Sequence, residues 1–156
     1  MAALLDHTDI AILASLQADA SASVAEVADK VGLSQSPCWR RIQRLEQDGY
    51  VRDRVARLDR RKLGFNLEIF AWLRFQRDTA ESLARFESAI RAVPEVLECH
   101  MLMGDMDFLL RIVTKDVESY ELLLRNQLAN LPGVREIKST IALSAVKDGF
   151  ALPLAV

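Results

Sequence analysis

Hydrophobic positions repeat along this chain with two different periods. In the first 60 residues the period is helical. Ile10, Leu13 and Leu16 recur three apart, with Thr8 or Asp9 near the start of the stripe. Ser23-Val24-Ala25-Glu26 has the spacing of a capping box, in which each side chain satisfies an orphan amide near the other. The helix it opens runs through Val24, Val27, Ala28 and Val31, and Gly32 supplies the left-handed residue that ends it. A third helix opens near Ser34–Pro37, buries Cys38, Ile42 and Leu45, and closes at Gly49. Two helices separated by Gly-Leu-Ser predict a helix-turn-helix. Tyr50-Val51 and the stretch to Leu58 are expected to form a short wing-like hairpin.

After the charged segment 59–64 the period becomes two. Phe65, Leu67, Ile69, Ala71, Leu73 and Phe75 alternate with mostly polar positions, so 65–76 predicts a strand with one apolar face. Asp78-Thr79-Ala80-Glu81 has N-cap chemistry, and Leu83, Phe86, Ile90 and Val93 form a helical stripe that Pro94 stops. Strands are expected at 96–103 and 107–114, joined by Gly104-Asp105-Met106. A second stripe of Val117, Tyr120, Leu124, Leu128 and Leu131 starts at Asp116 and stops at Pro132-Gly133. The last strand runs through Ile137, Ile141, Leu143 and Ala145. Val93–Glu98 and Leu131–Glu136 form a weak repeat 38 residues apart.

The resulting order, β-α-β-β-α-β, predicts a ferredoxin-like unit of four antiparallel strands with two helices on one face. The fold class is therefore α+β: a helix-turn-helix domain over 1–58, a linker over 59–64 and a ferredoxin-like domain over 65–156. Phe70 and Trp72 fall on the sheet face that the helices leave open. Two large aromatics there predict a covering second subunit, against the alternative that they shield themselves on a wet sheet.

Composition narrows the class further. The chain has 156 residues, 51% hydrophobic and 27% charged, with a net charge of −2. Such a chain buries a core without disulfide staples. The charge is unevenly placed. Residues 36–62 carry nine basic and four acidic side chains, whereas 63–156 carry ten and thirteen. A basic segment joined to an acidic remainder predicts two modules with different partners. Cys38 and Cys99 lack zinc-finger spacing, and Cys99 and His100 are strand neighbours that point to opposite faces. The N-terminus does not resemble a secretion signal, and no apolar run reaches a membrane span. A cytoplasmic protein without membrane contact is expected.

Two places carry candidate chemistry. On the third helix Ser36, Arg40, Arg44 and Gln47 share one face, opposite Cys38, Ile42 and Leu45. Arginine can hold phosphate or read guanine, and serine and glutamine can contact backbone or bases. The alternative is a solvated basic face, but the capping box, the glycine turn and the local positive charge favour duplex DNA. The full candidate DNA-binding set is Ser34, Gln35, Ser36, Trp39, Arg40, Arg41, Arg44 and Gln47. The second place is the turn Gly104-Asp105-Met106-Asp107-Phe108. Its two carboxylates invite a catalytic reading. A tight turn, with glycine for backbone freedom, explains them better. A carboxylate beside free amides can also bind the head group of an amino acid. Met101, Met103 and Met106 near the turn are expected to fill core, and His100 to be packed mid-strand. With two histidines in all, the sequence offers no triad, metal-ligand cluster or phosphate-cradling glycine motif, so no catalytic residue, metal or cofactor is expected.

The chain resembles the Lrp/AsnC (leucine-responsive/asparagine, "feast/famine") family of transcriptional regulators over nearly its whole length. The resemblance is carried by Leu5-Asp6 with Asp9 and Ile10–Leu13, by Val31–Ser34 with Pro37-Cys38 and Arg41-Ile42, and by Leu45–Val51. In the second half it is carried by Val96–His100, Gly104–Leu110, Leu131–Val134 and Val146-Lys147. It implies a DNA-reading N-terminal domain and a C-terminal domain that forms homodimers, often assembling to octamers. It also implies a small effector, usually an amino acid, bound between dimers. Carried over, Gly104, Asp105, Met106, Asp107 and Phe108 become effector-site candidates, with Thr140 and Ala142 on the last strand. The run Pro37–Arg41 and the tail Ala151–Leu154 look like members that respond to cysteine. Two other functions stay open from the residues themselves: an amino-acid-binding regulatory subunit of an enzyme, and a helix-turn-helix adaptor that binds protein.

Overall fold

The computed structural model describes residues 5–76 and 80–154, and the chain separates into two compact units. One unit comprises residues 1–57 with 147–156, and the other residues 58–146.

The first unit is built on α1 (His7–Ala18), α2 (Val24–Lys30) and α3 (Gln35–Gln47). Helix α1 starts earlier than the hydrophobic stripe implies. Asp6 is its N-cap: its side chain accepts from the Asp9 amide while the Asp9 side chain accepts from the Asp6 amide. The expected box at Ser23–Glu26 opens α2 by the same reciprocal bonding. Gly32 (φ +69°) and Gly49 (φ +78°) take the left-handed conformation that ends α2 and α3. Ile12, Leu16, Val27, Ala28, Cys38, Ile42 and Leu45 form the core.

No strand forms over 50–58, so the expected wing-like hairpin is absent from this stretch. Arg52, Asp53, Arg54 and Arg57 interrupt its apolar residues, so neither alternate face is continuously apolar, and Val55 and Leu58 are exposed. The carboxy-terminal segment packs within this unit instead. Gln17 donates to the Leu152 carbonyl and accepts from the Leu152 amide (2.9 and 2.8 Å). Arg57 pairs with Asp148 and lies 5.5 Å from the centre of the Phe150 ring.

The second unit holds β1 (Leu67–Phe75), α4 (Ala80–Arg91), β2 (Val96–Met101), β3 (Phe108–Thr114), α5 (Val117–Asn126), a 3-10 turn (Leu128–Asn130) and β4 (Val134–Ile141). The strands form one antiparallel sheet in the order β2-β3-β1-β4. This is the expected βαββαβ arrangement, with β1 and β3 central. Ile69, Ala71, Leu73 and Phe75 of β1 and Phe108, Leu110 and Ile112 of β3 pack with Phe86, Ile90, Tyr120, Leu123 and Leu128. The proposed cap at Asp78-Thr79 lies outside the described residues.

The segment 59–64 is a folded turn. Asp59 Oδ1 accepts from the amides of Arg61 and Lys62, and Arg60 donates to the Phe65 carbonyl and to Glu68. Strand β4 ends sooner than its apolar pattern implies. Its last pairing is the Ala142 amide on the Glu68 carbonyl, because β1 ends there and leaves Leu143 and Val146 exposed.

Gly133 shows how tightly the two halves of this unit meet. It sits at φ +79°, and its carbonyl accepts from the Gln76 amide at 2.8 Å. A methyl group there would lie 2.4 Å from the Phe75 ring.

Candidate functional site

Helix α3 presents two different polar flanks. Gln35, Ser36, Trp39, Arg40 and Gln47 are exposed, as is the N-cap Ser34. Ser36, Arg40 and Gln47, four and seven residues apart, lie on the side opposite Cys38, Ile42 and Leu45, with Trp39 beside them and Gln35 at the helix start. Ser34 makes no side-chain capping bond, so the hydroxyl and the first amides of α3 are not spent on each other. Arg40 makes no ion pair among the described residues.

Arg41 and Arg44 lie elsewhere. They turn toward the start of α1 and meet Asp6 and Asp9. Arg41 Nη1 donates to Asp6 Oδ2 (2.6 Å) and Asp9 Oδ1 (2.7 Å), and Arg44 Nη2 lies 2.5 Å from Asp9 Oδ2. Asp9 is a buried acid with 1% of its surface exposed. The carboxylates raise the Arg41 pKa, and the Asp9 amide followed by Arg41 lowers that of Asp6. Together with Pro37 and Arg40, the two arginines line an open depression beside the helix. The structure thus brings part of the candidate set to one exposed face and places Arg41 and Arg44 in an ion-pair cluster. Sequence reasoning missed the cluster, although its signal was present: two acids three apart at a helix start and two arginines three apart on a second helix.

The turn between β2 and β3 is anchored through its last residue. The Asp107 amide donates to the Leu73 carbonyl (2.9 Å), and its Oδ2 accepts from the Phe75 amide (2.8 Å). The Leu102 amide closes the turn on the Asp107 carbonyl (2.7 Å). Asp107 therefore holds the turn on the end of β1. Phe108 is buried in an aromatic cluster with Phe75 and Phe86 (5.7 and 4.5 Å between ring centres).

Gly104 and Asp105 are exposed. Gly104 does not use a positive φ, and a methyl group there would meet nothing within 4 Å. The backbone freedom expected of this glycine is therefore not used. The methionines do not fill core either: Met101 and Met103 are exposed, and half-buried Met106 has its Sδ 4.0 Å from an Arg74 nitrogen. Met103 stands out from the turn, and Met101, at the end of the edge strand, lines a shallow groove with Phe86 and Ile90 of α4 but stays half exposed.

Thr140 pairs with Phe70, and Ala142 bonds to Glu68, whereas the turn sits against Leu73 and Phe75. Phe70 stands three positions along β1 from Leu73 and five from Phe75, about 10–16 Å, with Glu68 further still. One protomer does not bring Thr140 and Ala142 to the turn.

The open face of the sheet combines half-buried Phe70, Trp72 and Leu109 with a chain of charges. Arg111 bridges Glu68 (2.8 Å) and Glu98 (2.6 Å), and Glu98 meets His100 at 3.0 Å. The bond from His100 and then that from Arg111 lower the Glu98 pKa, and Glu68 followed by Glu98 raises that of Arg111. His100 is exposed rather than packed, because β2 is an edge strand and the ring faces away from the helices. Cys38 and Cys99 are free thiols, both pushed up by burial. Among the described residues no group of three or more His, Cys, Asp or Glu is placed to hold a metal ion. No helix among them is long and apolar enough to cross a membrane.

Comparison with known proteins agrees with this geometry. Residues 5–52 match a winged helix-turn-helix DNA-binding model, and residues 68–152 match the Lrp/AsnC ligand binding domain. The Bkd operon transcriptional regulator of Pseudomonas aeruginosa is 41% identical over 150 residues, covering 96% of this chain and 98% of that protein. The proline dehydrogenase transcriptional activator of Rhizobium radiobacter is 35% identical and covers 92% of each. Among solved structures, an AsnC family regulator from Agrobacterium tumefaciens has a TM-score of 0.91 at 39% identity, covering 96% of this chain and 97% of its own. A Neisseria meningitidis transcriptional regulator in complex with L-Met has a TM-score of 0.92 at 32% identity, covering 97% of both chains.

Proposed function

The chain belongs to the Lrp/AsnC family of transcriptional regulators, and we propose on that basis that the outer face of α3 reads an operator while the exposed β2–β3 turn takes an amino-acid effector. The observation that carries the first part is the exposed row Ser36, Trp39, Arg40 and Gln47 on a helix whose opposite side is sealed in the core. Such a row fits the major groove, and the uncommitted amides at Ser34–Ser36 fit a phosphate. One domain of this size with one such helix binds weakly, so two copies acting on paired half-sites are required.

The effector turn is supported by groups that the fold itself does not use. Gly104 leaves room for close approach, the Asp105 carboxylate suits an ammonium group, and Met101, Met103 and Met106 suit an apolar side chain. Thr140 and Ala142 join this site only if a second protomer supplies them. We therefore place the site at a boundary between copies. Phe70, Trp72 and Leu109 on the open sheet face form the homodimer contact, and dimers assemble further, as in an octamer. The protein works in the cytoplasm by binding alone, without a catalytic step.

An effector changes operator affinity only if it binds the competing assemblies unequally. The test is a thermal-melt panel against the standard amino acids, with cysteine under reducing conditions and methionine included. A saturable rise with one of them, accompanied by altered binding to the protein's own upstream DNA, supports the reading. A rise that survives Asp105→Ala moves the effector site elsewhere.

A further inference from the structure

Helix α3 carries three arginines, and the structure treats them differently. Arg40 is exposed and makes no ion pair among the described residues. Arg41 and Arg44 both meet Asp9, whose two carboxylate oxygens are divided between them. Asp9 Oδ2 also accepts from the Asp6 amide at 3.2 Å. The Nε of Arg44 is buried without a partner while its Nη2 meets Asp9, so the guanidinium is turned toward α1 although 43% of the side chain stays exposed. Asp6 completes the cluster through Arg41, and two positive charges face two negative ones.

A buried acid one turn into a helix is costly unless its partners are fixed. Two arginines one turn apart on α3 fix it from two directions, and in return set the rotation of α3 about its own axis. Held against Asp6 and Asp9, these two arginines have their charge offset by neighbouring carboxylates, which weakens their pull on a phosphate. A neutral four-residue cluster also adds no net attraction to DNA.

From this geometry we infer that Asp9 is a positioning residue for operator recognition: it withdraws Arg41 and Arg44 from the DNA and leaves Arg40 as the α3 arginine that reaches it. The inference rests on the DNA-binding reading of α3. It divides the basic residues of the candidate set into one that contacts DNA and two that orient the helix. Ser36, Trp39 and Gln47 then share the outer face with Arg40, and Asp9 controls how steeply binding depends on salt.

The test uses the full chain and a random-sequence 30-base-pair duplex, with anisotropy titrations at several NaCl concentrations and a melting curve for each variant. Each phosphate contact contributes about 0.9 to the slope of log affinity against log salt. Arg40→Gln is expected to flatten the slope by about that amount per protomer and to leave the melting temperature unchanged. Arg44→Gln is expected to leave the slope unchanged and to lower the melting temperature. Asp9→Asn is expected to lower the melting temperature and steepen the slope, because the released arginines become available to phosphate; a purely structural role for Asp9 would not steepen it. The double variant Asp9→Asn/Arg44→Gln should melt above the sum of the two losses, since both remove one shared contact.

If Asp9→Asn does not fold, the contrast between Arg40→Gln and Arg44→Gln decides. Equal flattening by those two variants at unchanged stability overturns the inference while leaving DNA binding intact. A wild-type protein with no salt-dependent affinity overturns the DNA-binding reading as well.

Discussion

Replacing Gly133 with alanine should damage the sheet unit far more than the same change at Gly104, and the structure gives the reason. Gly133 sits at φ +79°, where an L-residue costs about 1–2 kcal/mol. The added methyl would lie 2.4, 2.7 and 3.1 Å from three atoms of the Phe75 ring, against an ordinary carbon–carbon contact of about 3.5–4.0 Å. The ring cannot retreat freely, because it packs on Phe86 at 5.2 Å and edge-on to Phe108 at 5.7 Å. Overpacking of that kind costs about 1–3 kcal/mol. The backbone cannot swing away either, since the Gly133 carbonyl holds the Gln76 amide. The two costs together reach roughly 2–5 kcal/mol. In a unit of this size that lowers the melting midpoint by at least about 8 °C. Gly104 has neither constraint, so Gly104→Ala should stay within about 0.5 kcal/mol of the parent. Differential scanning calorimetry of both variants, followed by effector titration of Gly104→Ala, makes the comparison. A stable Gly133→Ala would refute the packing argument. An unstable Gly104→Ala, or one with an unaltered effector response, would remove the reason for placing a ligand at that turn.

Three further outcomes follow from the same geometry. Truncation before Asp148 removes the paired bonds to Gln17 and the Arg57 contacts, and should cost the helical unit roughly 1–2 kcal/mol by denaturant titration; an unchanged midpoint would show that the segment contributes nothing. Trp72→Glu places a charge on the open sheet face and should convert dimers to monomers by sedimentation, whereas an unchanged mass would put the subunit contact elsewhere. The N-cap carboxyls are held below their ordinary value, Asp6 by the Asp9 amide and then Arg41, and Asp116 by the Ser119 side chain and amide. Their stabilisation is thus complete above the unfolded value of about 4 and is lost as pH falls through the lower folded values. Melting temperatures between pH 7 and 2.5 should fall mainly below about pH 4; a loss centred near pH 6 would assign the transition to other groups.

The elements and their order were legible because each is written into local chemistry. Ser23 and Glu26 cap α2, Gly32 and Gly49 end their helices, and the alternation from Leu67 to Phe75 faces a strand onto a core. Ends were less legible where tertiary pairing decides them. Nothing local says that β4 stops at Ile141, since that depends on where β1 runs out. The 50–58 stretch illustrates the reverse error, because a hairpin expected from position alone lacked a continuous apolar face. At the candidate site, helical spacing found the outer face of α3 but grouped Arg44 with Arg40. Only the fold shows that α1 brings Asp9 to Arg44 and not to Arg40. Likewise, methionines near a turn suggested core until strand order placed β2 at the sheet edge.

Operator reading by α3 is tested most directly by selection of bound fragments from a genomic duplex library with the wild-type protein and with Arg40→Gln. Operator reading by the outer face of α3 requires the wild type to enrich one motif with two symmetric half-sites, and Arg40→Gln to lose this enrichment while keeping its fold and oligomeric mass. Absence of any enriched motif with folded wild-type protein, or an identical motif at equal affinity with Arg40→Gln, would contradict it.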